Sequence, residues 1–196
     1  MATYSDIRYD MSLSSSATGV GGMVLLATET ASSSDTIDFT SKIDSTYKEY
    51  IFKFINVHPA TDAAELSFQA NAAGGSGFNE TMTSAYFRAV HNEADTAATL
   101  SYDANRDQAQ ATGFQEIASD VGNENDQSTS GYLHLFNPSS TTFTTHFTAV
   151  TSHIAGQAKE YFTSGYGNTT SAVDAIQFKM SSGNIDAGTI SLWGIA

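Results

Sequence analysis

Five histidines, His58, His91, His134, His146 and His153, have the widest chemical reach of any residues in this sequence. An imidazole can carry a proton near neutral pH, ligate a metal or activate a neighbouring hydroxyl, and each use demands partners at a set spacing. None of the five stands in an H-E-x-x-H arrangement, so a helix-borne zinc site is excluded on spacing. His134 and His146 fall on two expected strands joined by a short turn, which would let them face each other across a hairpin. Ordinary histidines on a polar face are the simpler account, and no metal is expected at them. The stretch "DVGNENDQST", Asp120 to Thr129, gathers oxygen donors of the kind calcium takes. It lacks the D-x-[DN]-x-[DN]-G order of an EF-hand loop and reads as a solvated acidic loop.

Nucleophile and phosphate chemistry fare no better. "AAGGSG" is followed by no Lys-Ser or Lys-Thr pair and opens no helix, so it does not read as a phosphate cradle. There is no G-x-S-x-G elbow, and the carboxylates are scattered over loops without evident partners. The expectation is a protein without catalytic residues, cofactor or metal. Tyr102, Tyr161, Tyr166 and Trp193, read as exposed aromatics, could instead stack on sugar rings.

Composition narrows the partners. The 196 residues carry a formal net charge of −13 with only eight Lys and Arg. Phosphate backbones and anionic lipid surfaces both demand clustered cations, so neither nucleic acid nor a membrane is an expected partner. No apolar run approaches the ~20 residues of a membrane-spanning helix. The start, "MATYSDIRYDMSLSSS", lacks the basic and apolar regions of a secretory signal, so folding in a cytoplasm is expected. Charged residues are only 15% of the chain, against ~25% in ordinary soluble domains, and Ser, Thr, Ala and Gly take their place. That balance suits sheets faced with small hydroxyl residues.

The elements that must position these residues read as strands. Residues 1–22 are Ser- and Gly-rich and read as an extended attachment arm, with Tyr4, Ile7, Tyr9 and Met11 available for docking. From residue 23 to 196 a single domain is expected. "MVLLATETA" is a short strand, and Ile37 and Phe39 mark an edge strand or ordered loop. "YKEYIFKFINV" is apolar on both faces and is expected at the centre of a sheet, covered on both sides. "ELSFQAN" alternates, with Leu66, Phe68 and Ala70 inward and Glu65, Ser67 and Gln69 outward. Residues 92–130 are polar and read mostly as long surface loops. Strands return at 131–138, 143–154, "DAIQFKM" and the apolar ending "GTISLWGIA". Many short strands separated by turn clusters give an all-β fold, an antiparallel β-sandwich or jelly roll with an N-terminal arm.

Two stretches carry a resemblance. "TASSSDTIDFTSKIDSTYKEYIFKFINVHPATDAAELSFQAN" and the ending "IQFKMSSGNIDAGTISLWGI" resemble segments of virion structural proteins of tailed bacteriophages, marine ones especially. The resemblance covers most of residues 29–195 and leaves 92–130 unmatched. It implies a β-sandwich module of a capsid decoration, head fibre, tail-associated or receptor-binding protein, and it brings no catalytic residues. Its implied partners are other virion proteins, such as the major capsid protein or tail and portal components, and further copies of itself in a homotrimer. The implied location is the virion, with synthesis in the bacterial host's cytoplasm. Trp193 and Ile195 are then expected against the opposing sheet or, preferably, a neighbouring subunit, so that Tyr4, Ile7, Tyr9, Met11, Trp193 and Ile195 form the expected interface. The alternative is a fibre module that recognises host surface glycan.

Overall fold

The computed structural model describes residues 22–196, so the expected arm and its Tyr4, Ile7, Tyr9 and Met11 lie outside the described residues. The described chain holds strands and no helix. In chain order they are β1 (Met23–Thr30), β2 (Ile37–Phe39), β3 (Glu49–Pro59), β4 (Ala64–Ala72), β5 (Met82–Asn92), β6 (Ala98–Tyr102) and β7 (Ala109–Ala111). There follow β8 (Gln115–Val121), β9 (Thr129–Phe136), β10 (His146–Ile154), β11 (Gln157–Gly167), β12 (Val173–Met180) and β13 (Ile185–Ile195).

Eight of these strands pair from the outside in. β1 pairs with β13, β2 with β12, β3 with β9 and β4 with β8, all antiparallel. A long antiparallel ribbon rolled up in this way also brings β13 beside β3 and β12 beside β4. The result is two facing sheets, β1-β13-β3-β9 and β2-β12-β4-β8, which is jelly-roll connectivity. The first of them grows further, because β10, β11, β5 and β6 continue it past β9 while β7 pairs with β5. The large sheet therefore has nine strands and the small one four.

Alternation along each strand fills the space between the sheets. Tyr50, Phe52 and Phe54 point inward from β3, and Leu133 and Leu135 lie opposite them on β9. Phe178 of the small sheet meets Phe52 and Phe54 edge-on, with ring centroids 5.1 and 5.3 Å apart. Such edge-to-face pairs add to the gain from burial itself. β13 contributes Ile190 and Leu192, both fully buried. Its Gly194 lies against the Tyr47 ring, where an added Cβ would stand 2.4 Å from a ring carbon. Only glycine permits that approach.

Three sequence expectations need correction. β3 lies centrally, but its second face is not covered throughout: Ile51 is buried between Trp193 and His134 on its neighbours, whereas Ile55 is 55% exposed. A bulge after Phe54, with Asn56 at φ 50°, then turns Val57 back into the core. On β4, Ser67 and Gln69 are buried, not outward in solvent. The Gln69 side-chain amide lies 2.8–3.1 Å from the carbonyl oxygens of Glu80, Thr112 and Gly113, which fold over the small sheet. Residues 92–130 hold β6, β7 and β8, and β8 is a core strand with Ile117, Ala118 and Val121 fully buried. The link from β3 to β4 carries the chain from the large sheet to the small one.

Candidate functional site

The two sheets differ in width, and the mismatch creates a polar region. Beyond β9 the large sheet overhangs the small one, so the inward side chains of β10, β11 and β5 face β8 and the segment after β6. Thr151 donates its hydroxyl to the Ile117 carbonyl, and Tyr161 donates to the Ser119 carbonyl at 2.7 Å. Tyr161 is thus fully buried and not available to a sugar. Burial pushes its hydroxyl pKa up to about 12.

At the edge of this region Arg106 gathers four carboxylates. Its guanidinium bonds Glu116 and lies 3.4 Å from Asp103, 3.5 Å from Glu65 and 3.8 Å from Asp120. Arg88 and Lys159 also approach Asp120, at 3.9 and 3.5 Å. Burial pushes Glu116 upward, and the Arg106 guanidinium opposes that shift. A general acid or nucleophile needs a carboxyl group free to exchange a proton or attack. Here every carboxylate is committed to a cation, so the cluster clips the segment after β6 to β4 and β8. Asp120, first residue of the acidic stretch, faces Arg88, Arg106 and Lys159 instead of a cation-binding loop. Among the described residues no group of three or more His, Asp and Glu is placed to hold a metal.

The outer face of the large sheet is of another kind. Register sets its side chains in rows that cross the strands. One row runs Tyr132, Val150, Phe162, Phe87 and Tyr102 across β9, β10, β11, β5 and β6. Phe87 and Phe162 stack with centroids 4.7 Å apart and planes 9° from parallel. This aromatic ridge is flanked on one side by Thr148, Ser164 and Ala85 and on the other by the row Ser130, Ser152, Glu160, Ala89 and Leu100. Over the second flank lies a hollow of about 780 Å³, with Ile154, His91 and Glu160 among the larger residues lining it. Towards β1 the face continues with Leu25, Trp193, Ile51, Ile195 and Met23. Leu100 and Tyr102 are 74% and 57% exposed.

Formal charge is nearly absent there. Glu49, Lys53 and Glu160 are the charged side chains that the strand pairing places on this face, histidines apart. Glu49 accepts a hydrogen bond from His134 Nδ1 at 2.6 Å, and the Lys53 ammonium sits 5.7 Å from the Trp193 ring centroid.

The candidate residues from sequence distribute over this geometry as follows. His134 and His146 share the outer face but lie diagonally, because His134 pairs with Thr148 and His146 with Phe136. Trp193 and Ile195 are half-buried on the outer face, while Ile190 and Leu192 take the positions towards the opposing sheet. Trp193 donates its indole N–H to the Ser191 hydroxyl at 2.8 Å. Tyr102 and Tyr166 lie on the same outer face. Sequence reading missed the face as a whole. Each strand showed its own alternation, but only the strand order brings the outward residues of β9, β10, β11, β5 and β6 into one surface. Comparison with protein-family models, curated proteins and solved structures finds no match to this chain.

Proposed function

We propose that this chain is a non-enzymatic structural component of a bacteriophage particle, a capsid decoration or a tail- or vertex-associated protein, attached through residues 1–22. The observation that carries the structural role is the bare apolar outer face of the large sheet. Exposed apolar patches on soluble monomers rarely exceed a few hundred Å², and larger ones mark interaction surfaces. Jelly rolls serve in viral capsids but also in lectins and cupins, so the fold lends support only by analogy. The phage assignment rests on the resemblance of residues 30–71 and 176–195.

The test is placement on particles. Quantitative mass spectrometry of purified virions should find the chain at a stoichiometry fixed by capsid or tail symmetry. Replacing Ile7 and Tyr9 by Asp in the full chain should abolish attachment while leaving the melting temperature unchanged. Purified particles lacking the chain, or full occupancy by the doubly substituted protein, would overturn the reading. One observation favours glycan recognition as a second reading: the hollow of about 780 Å³ lies beside exposed aromatic rings, a size and setting that suit a small oligosaccharide.

A further inference from the structure

We infer that the outer face of the large sheet is a contact between two copies of this chain, the aromatic ridge of one seated in the hollow beside the ridge of the other. The inference deepens the assembly reading above and names its partner. Three features of the molecule select a second copy as the occupant.

The first is charge. A molecule of formal net charge −13 would repel its own copies through most of its surface. Yet the strand pairing places few charges on the outer face, Glu49, Lys53 and Glu160, with Glu93 and Lys159 also lining the hollow. Glu49 is bonded to His134 and Lys53 sits beside Trp193. Depletion of charge with enrichment in Tyr, Phe, Trp and Met is the composition of an interface core. A basic partner would instead be matched by acids on this face.

The second is area. Eight strands in a row, about 4.8 Å apart, and rows of side chains about 6.7 Å apart give a face on the order of 1,000 Å². Each partner in a standard-size complex buries ~800 Å², so one such face supplies a full interface. A single extended segment laid across it would cover only a few rows.

The third is relief. Tyr132, Val150, Phe162, Phe87 and Tyr102 stand as a ridge, and the small side chains Ser130, Ser152 and Ala89 leave the hollow alongside, with Glu160 on its wall and Leu100 at the end of the row. Ridge and hollow lie on one face and run in the same direction. A two-fold axis in the plane of the contact, along the ridge, seats each ridge in the facing hollow, and a two-fold contact uses the same patch on both copies. A three-fold ring instead sets one patch of each copy against a different patch of the next, and so does not seat this face against itself. The relief therefore selects a dimer over the trimer that the resemblance implies.

The experiment is sedimentation equilibrium of the full chain at 1–100 µM, with Ser152→Arg to fill the hollow and Gln177→Arg on the small sheet as control. Ser152 is exposed, so the monomer should accommodate arginine, and circular dichroism checks that both variants remain folded. The wild type and Gln177→Arg should be dimers, and Ser152→Arg should raise the dissociation constant at least a hundredfold. A wild type that stays monomeric at 100 µM overturns the inference, as does a trimer or a dimer that Ser152→Arg leaves intact. So does retention of an oligosaccharide by a monomeric wild type, which Ser152→Arg abolishes. Particle binding is scored separately. A monomer that still decorates particles rejects the dimer alone, and a dimer absent from particles rejects the phage role alone.

Discussion

At the scale of the residue, His153 shows how a side chain can gain a chemical signature without a chemical task. It is 5% exposed, stacks on Tyr161 with ring centroids 5.3 Å apart, and has no hydrogen-bond partner at either ring nitrogen. Burial, with the nearby Lys159 ammonium adding to it, lowers its pKa from 6.5 to about 4. The unfolded chain therefore binds this proton more readily than the folded one. Stability held by the neutral ring is complete above pH 6.5 and is lost as pH falls from there towards 4, below which both states are protonated. The loss is on the order of 3 kcal/mol. His153→Phe keeps an aromatic ring in place and removes the proton. Its urea midpoint should fall less than that of the wild type between pH 7 and pH 4.5. Equal declines in both proteins would show that His153 does not carry the acid sensitivity. The alternation of "HFTAVTSHI" puts His153 on the face of Phe147 and Ala149 and His146 on the other, but the stacking on Tyr161 is not visible in the sequence.

At the scale of the element, legibility followed what each strand buries. β10 and β12 set hydrophobic side chains mainly on alternate positions, β3 and β13 carry them on both faces, and the inward set of each survives into the structure. β8 was lost because its sequence, "QEIASDV", mixes buried polar and apolar residues. Gln115 and Ser119 are fully buried there, and the Gln115 side-chain amide donates to the carbonyls of Arg106 and Glu116. Ser84, 31 residues away, donates to Gln115 Oε1, and the Ser119 hydroxyl has no partner among the described residues, so no local pattern announces the strand. Arg106 is the pin of that arrangement, and none of its carboxylate partners could be assigned to it by spacing. Arg106→Met should leave Glu116 partly buried without its counter-charge, and Asp103 and Asp120 with Arg88 and Lys159 alone, at a cost of about 3 kcal/mol or more. The loss should shrink at pH 5, where the released carboxylates can take up protons. Amide hydrogen exchange should quicken in 103–114 while β3 and β13 stay protected. A loss below about 1 kcal/mol at pH 7 would place the network among solvated surface pairs.

At the scale of the whole molecule, the distribution of charge governs how copies meet. The sequence announces an excess of acid, 21 Asp and Glu against eight Lys and Arg, but not where that excess lies. Strand order places it on loops, the small sheet and the Arg106 cluster, and leaves the outer face of the large sheet almost neutral. Two copies that meet through this face bring two like-charged bodies together around an uncharged contact. Their repulsion acts through solvent over distances comparable with the screening length, about 10 Å at 0.1 M salt and ~3 Å at 1 M. The contact itself is held by removal of apolar surface from water, which salt does not weaken. Association should therefore tighten several-fold as sodium chloride rises from about 0.05 M to 1 M, measured by sedimentation equilibrium at constant pH. An interface held by opposite charges would respond in the other direction, since screening would remove its attraction. Dissociation by salt would thus place the contact on the acidic loops and not on the ridge. Tightening in the wild type, with Ser152→Arg monomeric at every salt concentration, ties the response to the outer face of the large sheet.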